Sequence, residues 1–394
     1  MYRWWVLGIT TLVQLTAALA SLGIGAWGPY AKLRWGLSDS HIGLLAATAN
    51  GATIAGLFLL APRLDRIGER RLISGGLLVL ALAMGLLGTC GGPLSSALIM
   101  LMIGAGYTPI QPAGGKAVFQ WFPARQRGLA MGVRQAALPL GGAVAAAVIP
   151  PLIDGQGWNG AMLWLATAML ACALLFGLSY RPAAAAAASR SGRGWIALWR
   201  AYGGDPGFRQ VAAIGCVLVA AQTALSLYWM LFLMARYHHP LAQAARALLL
   251  LQAAGTLGRL GLAAASDHVA GGRKTIVFGA GFGMTALLLI LSVLPAWPPG
   301  LAGGLLTGGL GFIAFGWYAP WLTWVAERAD ASRIGEALGL AMAINQIAIA
   351  AAPLACALLL RLHGGYTPVW AGLSALVATG LGYGWYQGRS GKVR

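Results

Sequence analysis

Apolar residues in this chain come in long unbroken runs, each near twenty residues, separated by short stretches that carry charge or Pro and Gly. A run of that length matches the thickness of a bilayer core when coiled as an α-helix. A transmembrane barrel would need short alternating segments instead. The breaks place helices at about 4–29, 41–61, 72–90, 95–116, 128–151 and 160–180, then at 209–234, 244–264, 275–294, 300–325, 337–360 and 368–387. The pattern therefore predicts an all-α membrane protein of twelve transmembrane helices in two pseudo-symmetric six-helix halves. Residues 1–180 form the N-terminal half, 181–208 a cytoplasmic connector and 209–394 the C-terminal half. The connector opens on the low-complexity run RPAAAAAASRSGRG and continues as WIALWRAYGGDPGFR, a segment suited to the membrane interface. The first apolar run is too long for the core of a signal peptide and reads as the first span.

Composition agrees. Hydrophobic residues make up 59% of the chain and charged residues only 9%, with a mean hydropathy of +0.73. A soluble protein carries about a quarter charged residues, so lipid must solvate most of these side chains. The net charge of +18 would suggest nucleic acid in a soluble protein, but loops on the cytoplasmic side of a membrane collect Lys and Arg. With the N-terminus inside, twenty of the 27 Lys and Arg fall in cytoplasmic segments and five outside. Both termini are thus expected in the cytoplasm of a cell with a bacterial-type inner membrane. No nucleic-acid partner is expected, and the chain is expected to work as a monomer. Cys90, Cys172, Cys216 and Cys356 are scattered without a CxxC pair and read as small buried hydrophobes.

The halves resemble one another. Gly128-Leu-Ala-Met-Gly-Val-Arg-Gln135 recurs as Gly339-Leu-Ala-Met-Ala-Ile-Asn-Gln346, and Leu64-Asp65-Arg66-Ile67-Gly68-Glu69-Arg70-Arg71 has a looser echo in Ser266-Asp267-His268 through Arg273-Lys274. Parallel repeats with a substrate site at their interface are a transporter architecture. The run Ala61-Pro-Arg-Leu-Asp65-Arg66-Ile-Gly68-Glu-Arg70-Arg71 resembles the loop 2–3 signature of the major facilitator superfamily, G-x-L-x-D-R-x-G-R-R. It departs from it at Ala61 and Glu69. The Pro139-Leu-Gly141-Gly142 run resembles the glycine-rich motif of that family's fifth helix, while the arginine of its fourth-helix motif is absent.

That resemblance implies a conformational latch. Asp65 would sit against the start of the eleventh helix and Asp267 against the start of the fifth, closing the cytoplasmic side, with Arg66, Gly68, Arg70 and Arg273 around them. A carboxylate at a helix N-terminus gains about 0.3–1 kcal/mol. Glu336, near the start of the eleventh helix, would repel Asp65 unless Arg66 or Arg70 intervened. The plainer alternative is that these charges only enforce topology.

All nine Asp and Glu (39, 65, 69, 154, 205, 267, 327, 330 and 336) lie in loops or at helix ends, which argues against a cationic substrate held by a buried acid. Two arginines do enter the spans. Arg259 lies eight residues before Asp267, about 12 Å deeper along its helix, and Arg134 about 9 Å beyond Gly128. Intramembrane arginine is costly and marks function by default, and its fork of donors suits a carboxylate. For Arg134, snorkelling or bonding to a neighbouring helix is the competing explanation. The resemblance implies that Arg134 and Arg259 flank one cavity. The run Gly255-Thr-Leu-Gly258-Arg259 through Ser266-Asp267 further resembles the eighth helix of oxalate/formate and monocarboxylate transporters, where an arginine contacts the substrate carboxylate; the polar residue often found four positions before the Gly-Arg pair is Ala254 here. Gln135, Asn345, Gln346, Asn50 and Gln252 are candidate polar companions, though amides also simply join helices. Tyr107, Tyr228, Trp229, Trp317 and Tyr318 could wall a cavity.

Met230 and Met234 share a helix face but have no second thioether or imidazole pair, so packing explains them better than a soft metal. His238-His239 reads as a solvated turn ended by Pro240. No phosphate loop, GxSxG elbow or HExxH is present, so no enzyme, cofactor or ATP-driven pump is indicated. The expected function is secondary transport of a small organic anion, coupled to protons or by exchange. The alternatives are an exporter of drug-like or metabolite compounds and a non-transporting receptor or assembly factor on the same scaffold.

Overall fold

The computed structural model describes residues 2–60, 67–90, 92–182, 195–269, 271–328 and 334–390. Among these the chain is helical throughout, without strands: α1 (Tyr2–Ser21), α2 (Ile24–Trp35), α3 (Asp39–Leu60), α4 (Glu69–Thr89), α5 (Pro93–Tyr107), α6 (Ile110–Trp121), α7 (Ala124–Ser179), α8 (Trp195–Tyr202), α9 (Pro206–Tyr237), α10 (Leu241–Ala265), α11 (Gly272–Val293), α12 (Gly300–Gly316), α13 (Tyr318–Glu327), α14 (Ile334–His363) and α15 (Thr367–Ser390). Nine stretches among the described residues are long and apolar enough to cross a bilayer. The longest, within α7, is two helices joined at Gly157, whose φ of 74° favours glycine. With 22 and 24 residues, α3 and α15 also reach across about 30 Å of hydrocarbon. The total is the expected twelve.

Several boundaries differ from the apolar runs. The first span breaks after Ser21 and resumes as α2, which ends at Gly36 in the left-handed conformation (φ 64°). The fourth breaks at Thr108-Pro109, where proline lacks the N–H that would continue the ladder. The tenth breaks at Trp317. The loop expected after residue 151 is helical up to the turn at Gly157, so Pro150 and Pro151 lie inside a helix. Apolar periodicity registers lipid contact, and lipid contact continues across such joints.

The backbone groups into two compact units. Unit one comprises Met1–Ser189, Ser226–Met234 and His239–Leu249; unit two comprises Arg190–Leu225, Ala235–His238 and Leu250–Arg394. In unit one, α1 and α4 pack along α7, and α3 along α5. Glycines set these distances: a Cβ at Gly106 would stand 2.8 Å from the Gly76 carbonyl oxygen, and one at Gly141 2.5 Å from the Ala18 Cβ. Such close approach maximises dispersion between helices where lipid offers no hydrophobic drive. In unit two, α11 packs on α15 and α13, and the short connector helix α8 on α14. Leu198 of α8 is buried while Trp199 is 56% exposed, as an interfacial helix requires. Asp205 then caps α9, accepting from the Gly207 and Phe208 N–H groups at 3.1 and 2.8 Å.

Candidate functional site

Arg134 is completely buried on α7. Its Nη2 donates to Gln14 Oε1 on α1 and to the Ile110 carbonyl on α6, both at 2.7 Å, and its Nη1 donates to Gln111 Oε1 at 3.2 Å. The Gln14 amide in turn donates to the Tyr107 hydroxyl at 3.3 Å. The Ile110 carbonyl lies in the first turn of α6, just after the break. Room for the guanidinium comes from Gly114, one turn further on, where a Cβ would meet Arg134 Nη2 at 2.4 Å. Snorkelling is therefore excluded, and bonding to neighbouring helices is what the side chain does. All these partners are neutral. Bonds to a charged donor contribute about 1.5–3 kcal/mol each, set against several kcal/mol for desolvating the ion. The Arg134 Nε has no hydrogen-bond partner among the described residues.

Arg259, on α10, is 3% exposed, with its guanidinium carbon 4.8 Å from the ring centroid of Tyr318 at the start of α13. A desolvated cation–π contact contributes about 2 kcal/mol. Glycines again permit the approach: a Cβ at Gly258 would fall 2.1 Å from the Phe312 carbonyl oxygen, and one at Gly316 2.8 Å from the Gly258 carbonyl oxygen. Trp317 packs edge-on against Tyr318, ring centroids 5.3 Å apart, and donates to the Ala314 carbonyl at 2.9 Å.

Of the expected companions, Gln135 is buried and Asn50 half-buried in unit one. In unit two Gln252 and Asn345 are buried and Gln346 half-buried. None of these supplies a partner to Arg134, whose contacts are Gln14, Gln111 and Ile110 instead. Neither amide atom of Asn345 has a hydrogen-bond partner among the described residues, and the same holds for Gln252 Oε1. Such orphaned groups cost about 1–3 kcal/mol each and call for a reason.

Asp65 and Arg66 lie outside the described residues. Gly68 precedes α4 with φ 82° and ψ 153°, a conformation reserved for glycine. Arg70 donates through Nε to the Gly177 carbonyl at 2.5 Å, near the end of α7. Asp267 pairs with Arg273 at 2.6 Å, and Arg273 reaches Glu327 at the end of α13 at 3.2 Å. The corresponding place in unit one holds the buried carboxylate of Glu69 on α4, paired with the partly exposed Lys116 of α6 at 2.8 Å and accepting from Gln120 at 3.0 Å.

Residues 10–353 match the Major Facilitator Superfamily. The chain belongs to that family. An uncharacterized MFS-type transporter of Mycobacterium tuberculosis (strain H37Rv) is 28% identical over 293 residues, 74% of this chain and 65% of that relative, so the match spans just under two thirds of the relative's length. A probable L-galactonate transporter of Escherichia coli K12 is 27% identical over 146 residues, 37% of this chain and 32% of that protein. Among solved structures, a bacterial homologue of the human lysosomal transporter Spinster, in an inward-facing and unoccupied conformation, superposes with a TM-score of 0.79 over 98% of this chain and 97% of its own, at 14% identity. The last comparison speaks to the fold alone.

Within this superfamily member, four participants were missed by sequence reading: Gln14, Gln111, Glu69 and Lys116. Gln14 interrupts an apolar run and carried a usable signal. Glu69 sits at a helix end, which hid that its side chain turns inward. Gln111 and Lys116 lie where the fourth span looked continuous, and only the break at Pro109 turns them toward their partners.

Proposed function

We propose that this superfamily member is a secondary transporter that carries a small organic anion across a bacterial-type inner membrane by alternating access, with both termini cytoplasmic and with proton coupling or exchange as the driving force. Arg134 carries the reading: a fully buried guanidinium among neutral partners, with three of its five N–H donors engaged and Nε left over. A positive charge held this way is stabilised by an arriving carboxylate and repels a cation. Arg259 supplies a second guanidinium in the spans, anchored on Tyr318, and Asn345 and Gln252 offer amide atoms for hydroxyl or carbonyl groups. A similar protein named as a probable L-galactonate transporter supports a sugar-acid or related carboxylate as the substrate class.

Proteoliposome uptake against a panel of carboxylates, nitrate-like anions and cationic drugs tests this. A carboxylate should accumulate, and Arg134→Gln and Arg259→Gln should each abolish most of that uptake while melting as cooperatively as wild type. Uptake of cations or neutral compounds alone would sink the anion reading and favour the exporter. Arginine-dependent anion binding without uptake would favour a receptor.

A further inference from the structure

At the end of unit one that the proposed topology places in the cytoplasm, α3, α4 and α5 line an open groove of about 290 Å³. Its walls are almost wholly apolar: Leu59 and Leu60 of α3, Gly75, Gly76 and Val79 of α4, and Ala105 of α5. Gly76 is fixed by packing, since a Cβ there would press on the Gly106 carbonyl oxygen at 2.5 Å. Gly75 is different. A Cβ at that position would meet nothing within 4 Å, so no helix contact requires glycine there, and its lack of a side chain leaves the groove open.

Arg71 stands at the mouth. Its neighbour Arg70 is committed to the Gly177 carbonyl, whereas exposed Arg71 has no hydrogen bond or ion pair among the described residues. From Arg71 to Val79 is eight residues, about 12 Å of helix. That is most of the roughly 15 Å depth of one leaflet's hydrocarbon. A cation at headgroup level above an apolar slot of that depth is complementary to a molecule with an anionic head and a hydrocarbon chain.

We infer that this groove binds one anionic phospholipid of the cytoplasmic leaflet, its phosphate on Arg71 and an acyl chain along Gly75 and Gly76. The site is separate from Arg134, whose contacts are on α1 and α6, and it does not depend on which solute the protein carries.

Native mass spectrometry of the purified full chain with equal phosphatidylglycerol and phosphatidylcholine tests the inference. Wild type should retain phosphatidylglycerol about fivefold over phosphatidylcholine, the preference one basic residue near an anionic headgroup produces. Arg71→Gln should equalise the two lipids, and Arg71→Lys should keep most of the preference. Gly75→Leu, whose Cβ has open space and whose side chain fills the slot, should lower retention of both lipids while leaving the melting temperature unchanged. Equal retention in wild type, a preference that survives Arg71→Gln, or unaltered retention in Gly75→Leu would overturn it. So would displacement of phosphatidylglycerol by millimolar inorganic phosphate, because the chain would then contribute nothing.

Discussion

The two halves of the molecule bury an arginine by opposite means. In the first, amide oxygens and a carbonyl grip the Arg134 guanidinium by its N–H edge. In the second, the Arg259 guanidinium rests over the ring of Tyr318. The first mode is directional and fixes the group in one pose. The second is less directional as an interaction, since a ring quadrupole attracts a cation over a broad area. The two arginines are not repeat mates, since the repeat places Asn345 opposite Arg134, so each half has acquired its buried arginine on a different helix. The helix ends differ too: the Glu69 carboxylate is buried in its pair with Lys116, whereas Glu327 is half-exposed in the charge-exchanged pair Arg273–Glu327 of the other half.

The comparison breaks most visibly at Arg259. Arg259→Gln should lower kcat/KM for carboxylate uptake about ten- to a hundredfold, the loss of one charge-assisted contact; an unaltered value would leave Arg134 alone at the centre. Next in size, Glu69→Gln leaves Lys116 without its buried carboxylate and should cost about 1–3 kcal/mol in thermal or denaturant unfolding. Gly114→Ala should cost a similar ~1–3 kcal/mol, because Arg134 must leave its pose to admit the methyl group. If the fixed arginine is really fixed, this variant also loses uptake. Tyr318→Leu should weaken substrate binding by about 0.5–2 kcal/mol, seen as a raised KM, whereas Tyr318→Phe keeps the ring face and should match wild type. Smallest of all, Glu327→Gln should change stability by less than about 1 kcal/mol, as half-exposed ion pairs do.

The scaffold was legible because lipid imposes a uniform rule: twenty apolar residues, then a charged or flexible break. The buried arginines were legible for the same reason, as violations of that rule. Their partners were not. Gln14 lies 120 residues from Arg134 and Gln111 on the helix just before it, and nothing local distinguishes an amide that cradles a guanidinium from one that joins two helices. Tyr318 could be named as an aromatic near a cavity, but its place beneath Arg259 depends on the backbone contact between Gly258 and Phe312. The helix joints were hidden because Thr108-Pro109 and Trp317 interrupt hydrogen bonding without interrupting hydrophobicity.

Those joints give each half a short rod with two handles. Among the residues of α6, Gln111 and Gly114 hold Arg134, and Lys116 holds the start of α4. Among those of α13, Tyr318 holds Arg259, and Glu327 holds the start of α11. A helix of ten or twelve residues is stiff along its axis, so the handles cannot move independently. The ion pair lies about 8 Å along the helix from the arginine's partner in one rod and about 14 Å in the other. The fourth and tenth spans therefore each carry, on one short rigid segment, both a partner of a buried arginine and one member of an ion pair.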